Sequence, residues 1–136
     1  MGKVYDSLDA KLIEFIEGQH MFFVGTAPLS AHGHLNLSPK GFDSLRILDA
    51  STVAYLDVTG SGVETIAHLR ENGRMVMMFC AFEGRPLIVR LHGRGEVLET
   101  HHPEFESLIG SFPQLPAVRA IVRLHITRIA DSCGWT

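Results

Sequence analysis

Only two cysteines, Cys80 and Cys133, occur in the 136 residues, and Cys80 lies inside an apolar run. They read as free thiols rather than a disulfide, which points to a reducing, cytoplasmic setting. No apolar run approaches the ~20 residues of a membrane-spanning helix. The start, MGKVYDSLDAK, lacks an apolar stretch followed by a small-residue cleavage site, so no signal peptide is expected. Asp6 stands where a myristoylated chain carries Ser or Thr. Positive charge is not in excess either: the net charge of -3 gives no electrostatic footprint for nucleic acid or an anionic membrane. The eight histidines fall into no HExxH and no zinc-spaced Cys/His cluster, so no metal site is expected. The nearest pairs are His32-x-His34 and His101-His102, and the latter, beside Pro103, read as exposed loop residues. No Ser/His/Asp or Cys/His arrangement is legible, and no residue stands out as a catalytic acid or base.

Without repeats, linkers or low-complexity segments, residues 1–136 are expected to form a single domain. Such a chain buries roughly two-thirds of its unfolded surface and needs neither disulfide nor metal to hold a core. Asp6-Ser7 precede a helical pattern with Leu8, Leu12, Phe15 and Ile16 on one face, closed by Gly18. Strands are predicted at His20–Ala27, at His34–Ser38 (stopped by Pro39 and Gly41), at Ser44–Leu48 and at Thr52–Val58. A helix over Val63–Glu71 turns Ile66, Leu69 and Val63 inward and ends at Asn72-Gly73. Met75–Phe82 reads as a central strand. Leu87–Leu98 and Ala120–Ile129 follow with period-two alternation, and a short helix covers Glu104–Ile109. Tight turns between these elements predict a mainly β fold, a closed antiparallel barrel of six or seven strands with decorating helices.

The stretch richest in chemical information is Val53 to Arg74, VAYLDVTGSGVETIAHLRENGR. An apolar strand runs into Thr59-Gly60-Ser61-Gly62, and that turn opens an amphipathic helix, the arrangement that offers backbone N–H groups to a phosphate. The glycines also serve a plain strand-to-helix turn, with Ser61 as N-cap. The turn is no dinucleotide fingerprint, because Thr65 takes the third glycine position, and no P-loop, because no Gly-Lys-Ser/Thr follows. Upstream, Ser38-Pro39-Lys40-Gly41 places a lysine just where a strand is forced to end.

In order along the chain, LNLSPKG, TVAYLDVTGSGVET, HLRENGRMVMMF and LHGRGEV resemble the pyridoxamine 5'-phosphate oxidase-like family, over about Leu12 to Asp131. The resemblance implies an FMN-binding split barrel that works as a homodimer with flavin at the subunit interface. It implies cofactor-binding roles for Lys40, flanked by Ser38, Pro39 and Gly41, near the flavin ring. Thr59, Gly60, Ser61, Gly62 and Thr65 fall toward the phosphate end, and Arg90 reaches the dimer-related flavin. Three departures stand out. The family oxidase's basic pair before the helix falls here at Glu64 and Thr65, and a further arginine position is Leu35. The oxidase's C-terminal substrate segment has no counterpart after Ser132. Glu64 is expected to face solvent or to pair with Arg70 or Arg85.

Together these readings predict a flavin-dependent oxidoreductase of unassigned substrate that does not act as pyridoxamine 5'-phosphate oxidase. The alternatives are a non-catalytic flavin or heme-binding, stress-related module and a deazaflavin-dependent reductase. In the heme reading, a histidine is the axial ligand.

Overall fold

The computed structural model describes residues 2–133. The described strands, in chain order, are β1 (Val4–Tyr5), β2 (Phe22–Thr26), β3 (Asn36–Lys40), β4 (Leu45–Asp49), β5 (Thr52–Val58), β6 (Arg74–Cys80), β7 (Ile88–Glu99) and β8 (Val118–Ser132). Helices α1 (Ala10–Glu17), α2 (Val63–Asn72) and α3 (Phe105–Ile109) lie between them. All pairings are antiparallel, in the order β3-β2-β6-β7-β8-β5-β4, with β1 added against β8.

The mainly β antiparallel fold is as predicted, with two corrections. The hydrogen-bonded ladder does not close, since β3 and β4 stand at its two ends. Eight strands are found among the described residues, one more than expected because β1 is two residues long and carries no periodicity to read. It is fixed by Asp131 instead, which accepts from the Lys3 amide at 2.7 Å and from the Tyr5 hydroxyl.

The curved sheet wraps a core that includes Val24, Val53, Tyr55, Met77, Phe79, Val89, Leu91 and Ile129. Phe22 joins it, packed edge-on to Tyr55 and stacked on Phe79. Helix α1 inserts Leu12 and Ile16 into this core. Its N-cap is Asp9, whose carboxylate accepts from the Leu12 amide at 2.9 Å, so the helix begins later than Asp6-Ser7 suggested. A second core, with Ala54, Leu56, Leu98 and Ile121, lies under Phe105 of α3 and Phe112.

Along β3 the side chains alternate. Asn36, Ser38 and Lys40 sit opposite the buried Thr26, Val24 and Phe22, whereas Leu37 and Pro39 share the other face with Gly25 and Phe23. Pro39 does not stop the strand: β3 continues through it to Lys40. It lies at the sheet edge, where a missing N–H removes no ladder bond.

Candidate functional site

Strand β5 ends in Asp57 and Val58, and the chain turns through Thr59 to Gly62 into α2. Gly62 is the N-cap of α2 in a left-handed conformation (φ 102°), and no side chain caps the helix. Ser61 is therefore not the cap; its carbonyl accepts from Arg119 Nη2 at 3.4 Å. The Thr59 amide is tied to the Ala117 carbonyl at 2.8 Å, which anchors the turn to the start of β8. Among the described residues, no backbone carbonyl accepts from the amides of Gly60 through Glu64.

Beneath this turn sits Asp57, 1% exposed. Arg119, from β8, grips it with both arms of its guanidinium, Nε to Oδ2 at 2.6 Å and Nη2 to Oδ1 at 3.2 Å. Lys40 arrives from the end of β3, its Nζ 4.0 Å from Asp57 Oδ1 and 5.6 Å from the centre of the Tyr55 ring. A methyl group at Gly62 would lie 3.2 Å from Lys40 Nζ and 3.7 Å from Arg119 Nη2. Two cations thus converge on one glycine of the turn, above one shared carboxylate.

The electrostatics follow from that geometry. Burial lowers the Lys40 pKa; the nearby Asp57 opposes the shift and Arg119 adds to it. The hydrogen bond to Asp57 makes the Arg119 guanidinium hold its proton more tightly still. Burial, then the charge of Asp57, pushes the Tyr55 phenol up. The Tyr55 hydroxyl and Ser38 Oγ are buried without a hydrogen-bond partner among the described residues, although Thr65 lies near enough to ease the phenol's ionisation.

A cavity of about 300 Å³ opens beside the turn, lined in part by Pro39, Lys40, Gly41, Thr59, Gly60 and Ser61. Six of the predicted site residues thus meet around one space, although β3 and the turn are separate in sequence. Gly62 adjoins them through Lys40. Phe42 stands at the rim, 85% exposed with φ 62°.

Three predicted residues lie elsewhere. Ser38 points into the barrel interior beside Asn36. Thr65 is fully buried in a polar network in which Asn36 donates to Thr65 Oγ1 at 2.8 Å and to Thr26 Oγ1 at 3.0 Å; Thr26 is bonded in turn to His68 Nδ1. Thr65 thereby fastens α2 to β2 and β3. Arg90 is on the outer face of the sheet, level with Met78 and Ala130, its Nη1 3.4 Å from Ser132 Oγ. Glu64 is exposed as expected, but Arg70 pairs with Glu99 at 2.7 Å. Outside the cavity lining, ligand atoms of Glu96, His102 and Glu104 come within 4.8 Å of one another, yet Arg123 holds both carboxylates, so a metal there would have to displace it.

The sequence reading missed Asp57 and Arg119. One signal was present: a carboxylate within the apolar strand TVAYLDV must find a cation once buried. Which cation answers it, 62 residues away, no local pattern reveals.

The family model described as pyridoxamine 5'-phosphate oxidase matches residues 8–133. The chain belongs to that family. A curated relative, the pyridoxamine 5'-phosphate oxidase family protein ustO of Aspergillus flavus, is 42% identical over 135 residues. The match takes in 96% of this chain but 54% of ustO, so the chain spans about half the length of that relative. Among solved structures, HupZ from Group A Streptococcus superposes with a TM-score of 0.70 at 23% identity, covering 90% of this chain and 92% of HupZ. An FAD-binding protein from Mycobacterium smegmatis gives 0.62 at 12% identity, covering 94% and 97%. At these identities the structural likenesses establish the shared fold.

Proposed function

We propose that this member of the pyridoxamine 5'-phosphate oxidase family binds FMN and serves as the flavin-holding domain of an oxidoreductase. The observation that carries the reading is the meeting of Lys40, from the end of β3, with the glycine turn that opens α2, beside a cavity of about 300 Å³. A helix N-terminus with unclaimed amides and a neighbouring cation suits a phosphate ester. Lys40 and the Thr59–Gly62 turn are the residues that would hold the phosphorylated end, with Pro39 and Gly41 beside them. Bound there, the flavin supplies the hydride or electron chemistry. The chain's own part is to bind, orient and set the charge around it, and no side chain at the site is assigned as acid or base.

Flavin is favoured over heme here because no histidine lines this cavity among the described residues. Lys40 is also the one cation lining the cavity among the described residues. A second phosphate, that of pyridoxamine 5'-phosphate, would find no further cation lining this cavity among the described residues, and charge-assisted contacts are the usual means of holding one.

The test is a fluorescence-quenching titration with FMN and riboflavin, alongside the visible spectrum of the purified protein. FMN should bind more tightly than riboflavin, and the loaded protein should not turn over pyridoxamine 5'-phosphate. Equal affinity for the two flavins removes the phosphate role of the turn. A Soret band from the purified protein favours the heme reading, and a bound chromophore that absorbs without the long-wavelength flavin band favours deazaflavin.

A further inference from the structure

The family oxidase's basic pair falls in this chain at Glu64 and Thr65, one exposed and acidic, the other buried and neutral. Yet the turn is not without positive charge. Arg119 and Lys40 reach it from two other strands, and both approach Gly62 more closely than 4 Å from where a side chain would begin. Resting on the flavin reading above, we propose that Lys40 and Arg119 form the phosphate clamp of this chain, with Asp57 as the residue that positions both.

Four features support the assignment. Arg119 is not a wandering surface arginine: its two-armed grip on Asp57 fixes the plane of the guanidinium, while Nη2 also lies 3.4 Å from the Ser61 carbonyl on the turn itself. Lys40 makes a looser contact with the same carboxylate, at 4.0 Å, and keeps donors free for another anion. The amides of Gly60 through Glu64 have no backbone acceptor among the described residues, so they too are available. Finally, a side chain at Gly62 would crowd Lys40 Nζ at 3.2 Å and touch Arg119 Nη2 at 3.7 Å and Asp57 Oδ1 at 3.8 Å, so all three groups face the same point of the turn.

The charge count is consistent with a phosphate monoester. Two cations against one carboxylate leave a single positive charge, and the N-terminus of α2 adds its dipole. Such a ligand brings about 1.5 to 2 negative charges at neutral pH. A flavin without phosphate brings none, so the clamp acts on selectivity between the two. Asp57 touches neither ligand; it sets where Arg119 and Lys40 stand.

The decisive measurement is the ratio of FMN to riboflavin affinity in the wild-type protein, in Arg119→Gln, and in the double variant Asp57→Asn/Arg119→Gln. The double variant removes the buried carboxylate together with its partner, so it serves if Arg119→Gln alone fails to fold. Circular dichroism establishes that each is folded. In a folded variant the FMN preference should fall by about tenfold or more, as loss of a charge-assisted contact predicts, with riboflavin affinity little changed. An unchanged preference overturns the clamp while leaving the flavin reading standing. Equal weakening of both flavins also overturns it, since that marks a structural role for Arg119. Failure of the wild-type protein to bind FMN at all overturns both readings.

Discussion

Lys40 shows how a single residue can cost stability for the sake of a site. Its side chain is 15% exposed, and burial lowers its pKa despite the neighbouring Asp57. Between that lowered value and the unfolded value of about 10.4, the unfolded chain holds a proton that the folded chain has released. Stability linked to Lys40 therefore rises with pH across this window, and at neutral pH the charged ammonium is a net burden. Lys40→Met keeps most of the stem and removes the charge, while Asp57 retains its two bonds to Arg119. The melting temperature at pH 7 should then equal or exceed that of the wild type, and the FMN preference should fall. A variant melting several degrees lower at pH 7 would show that the Asp57 contact outweighs the burial cost. Lys40 was legible in the sequence because Ser38-Pro39-Lys40-Gly41 marks a strand end. Its debt to Asp57 was not, because contacts across strands leave no trace in local spacing.

At the scale of elements, the helices and long strands were legible because their apolar periods are enforced by burial. β5 was predicted at the bounds it has, and α2 buries Ile66 and Leu69 as its pattern required, whereas Val63, expected inward, is exposed because it stands at the first position of the helix. A boundary failed where a single polar contact decides it, as at Asp9 for α1, whereas α2 begins at Val63 as predicted but with Gly62 rather than Ser61 as its N-cap. The junction of β5 with α2 is the sharpest case. Gly62 adopts φ 102°, a conformation that side-chain-bearing residues enter at a cost of roughly 1–2 kcal/mol. Gly62→Ala should lose about that much stability in urea unfolding. It should also weaken FMN more than riboflavin, because the new methyl presses on Lys40 Nζ from 3.2 Å. A stability loss with FMN preference intact would separate the two roles and leave Gly62 as a hinge of the turn only.

For the whole molecule, the outer face of the sheet is the feature that a lone chain does not explain. One rung runs level across five strands as Pro39, Phe23, Met78, Arg90 and Ala130, and the next as Leu37, Gly25, Val76 and His92. Leu35 and Leu37, at its β3 edge, are 80% and 73% exposed. A hollow of about 570 Å³ is lined in part by Gly25, Leu37, Val76 and His92. Apolar patches of this breadth are uncommon on proteins that work alone. Arg90 stands in their midst, on the face opposite Lys40, and so cannot reach the turn of its own chain from there. A second copy seated on this face would cover the apolar rungs and carry Arg90 toward its partner, the role that family resemblance suggests for it. The expected state is an obligate homodimer burying upward of about 2,000 Å². Light scattering at micromolar concentration should report twice the chain mass for the wild type. Met78→Glu, a charge placed in the centre of the rung, should shift the population to monomer and weaken FMN as well. A wild-type monomer would refute the shared interface and leave Arg90 as a surface residue bonded to Ser132. A Met78→Glu protein that remains dimeric would move the interface to another face of the chain.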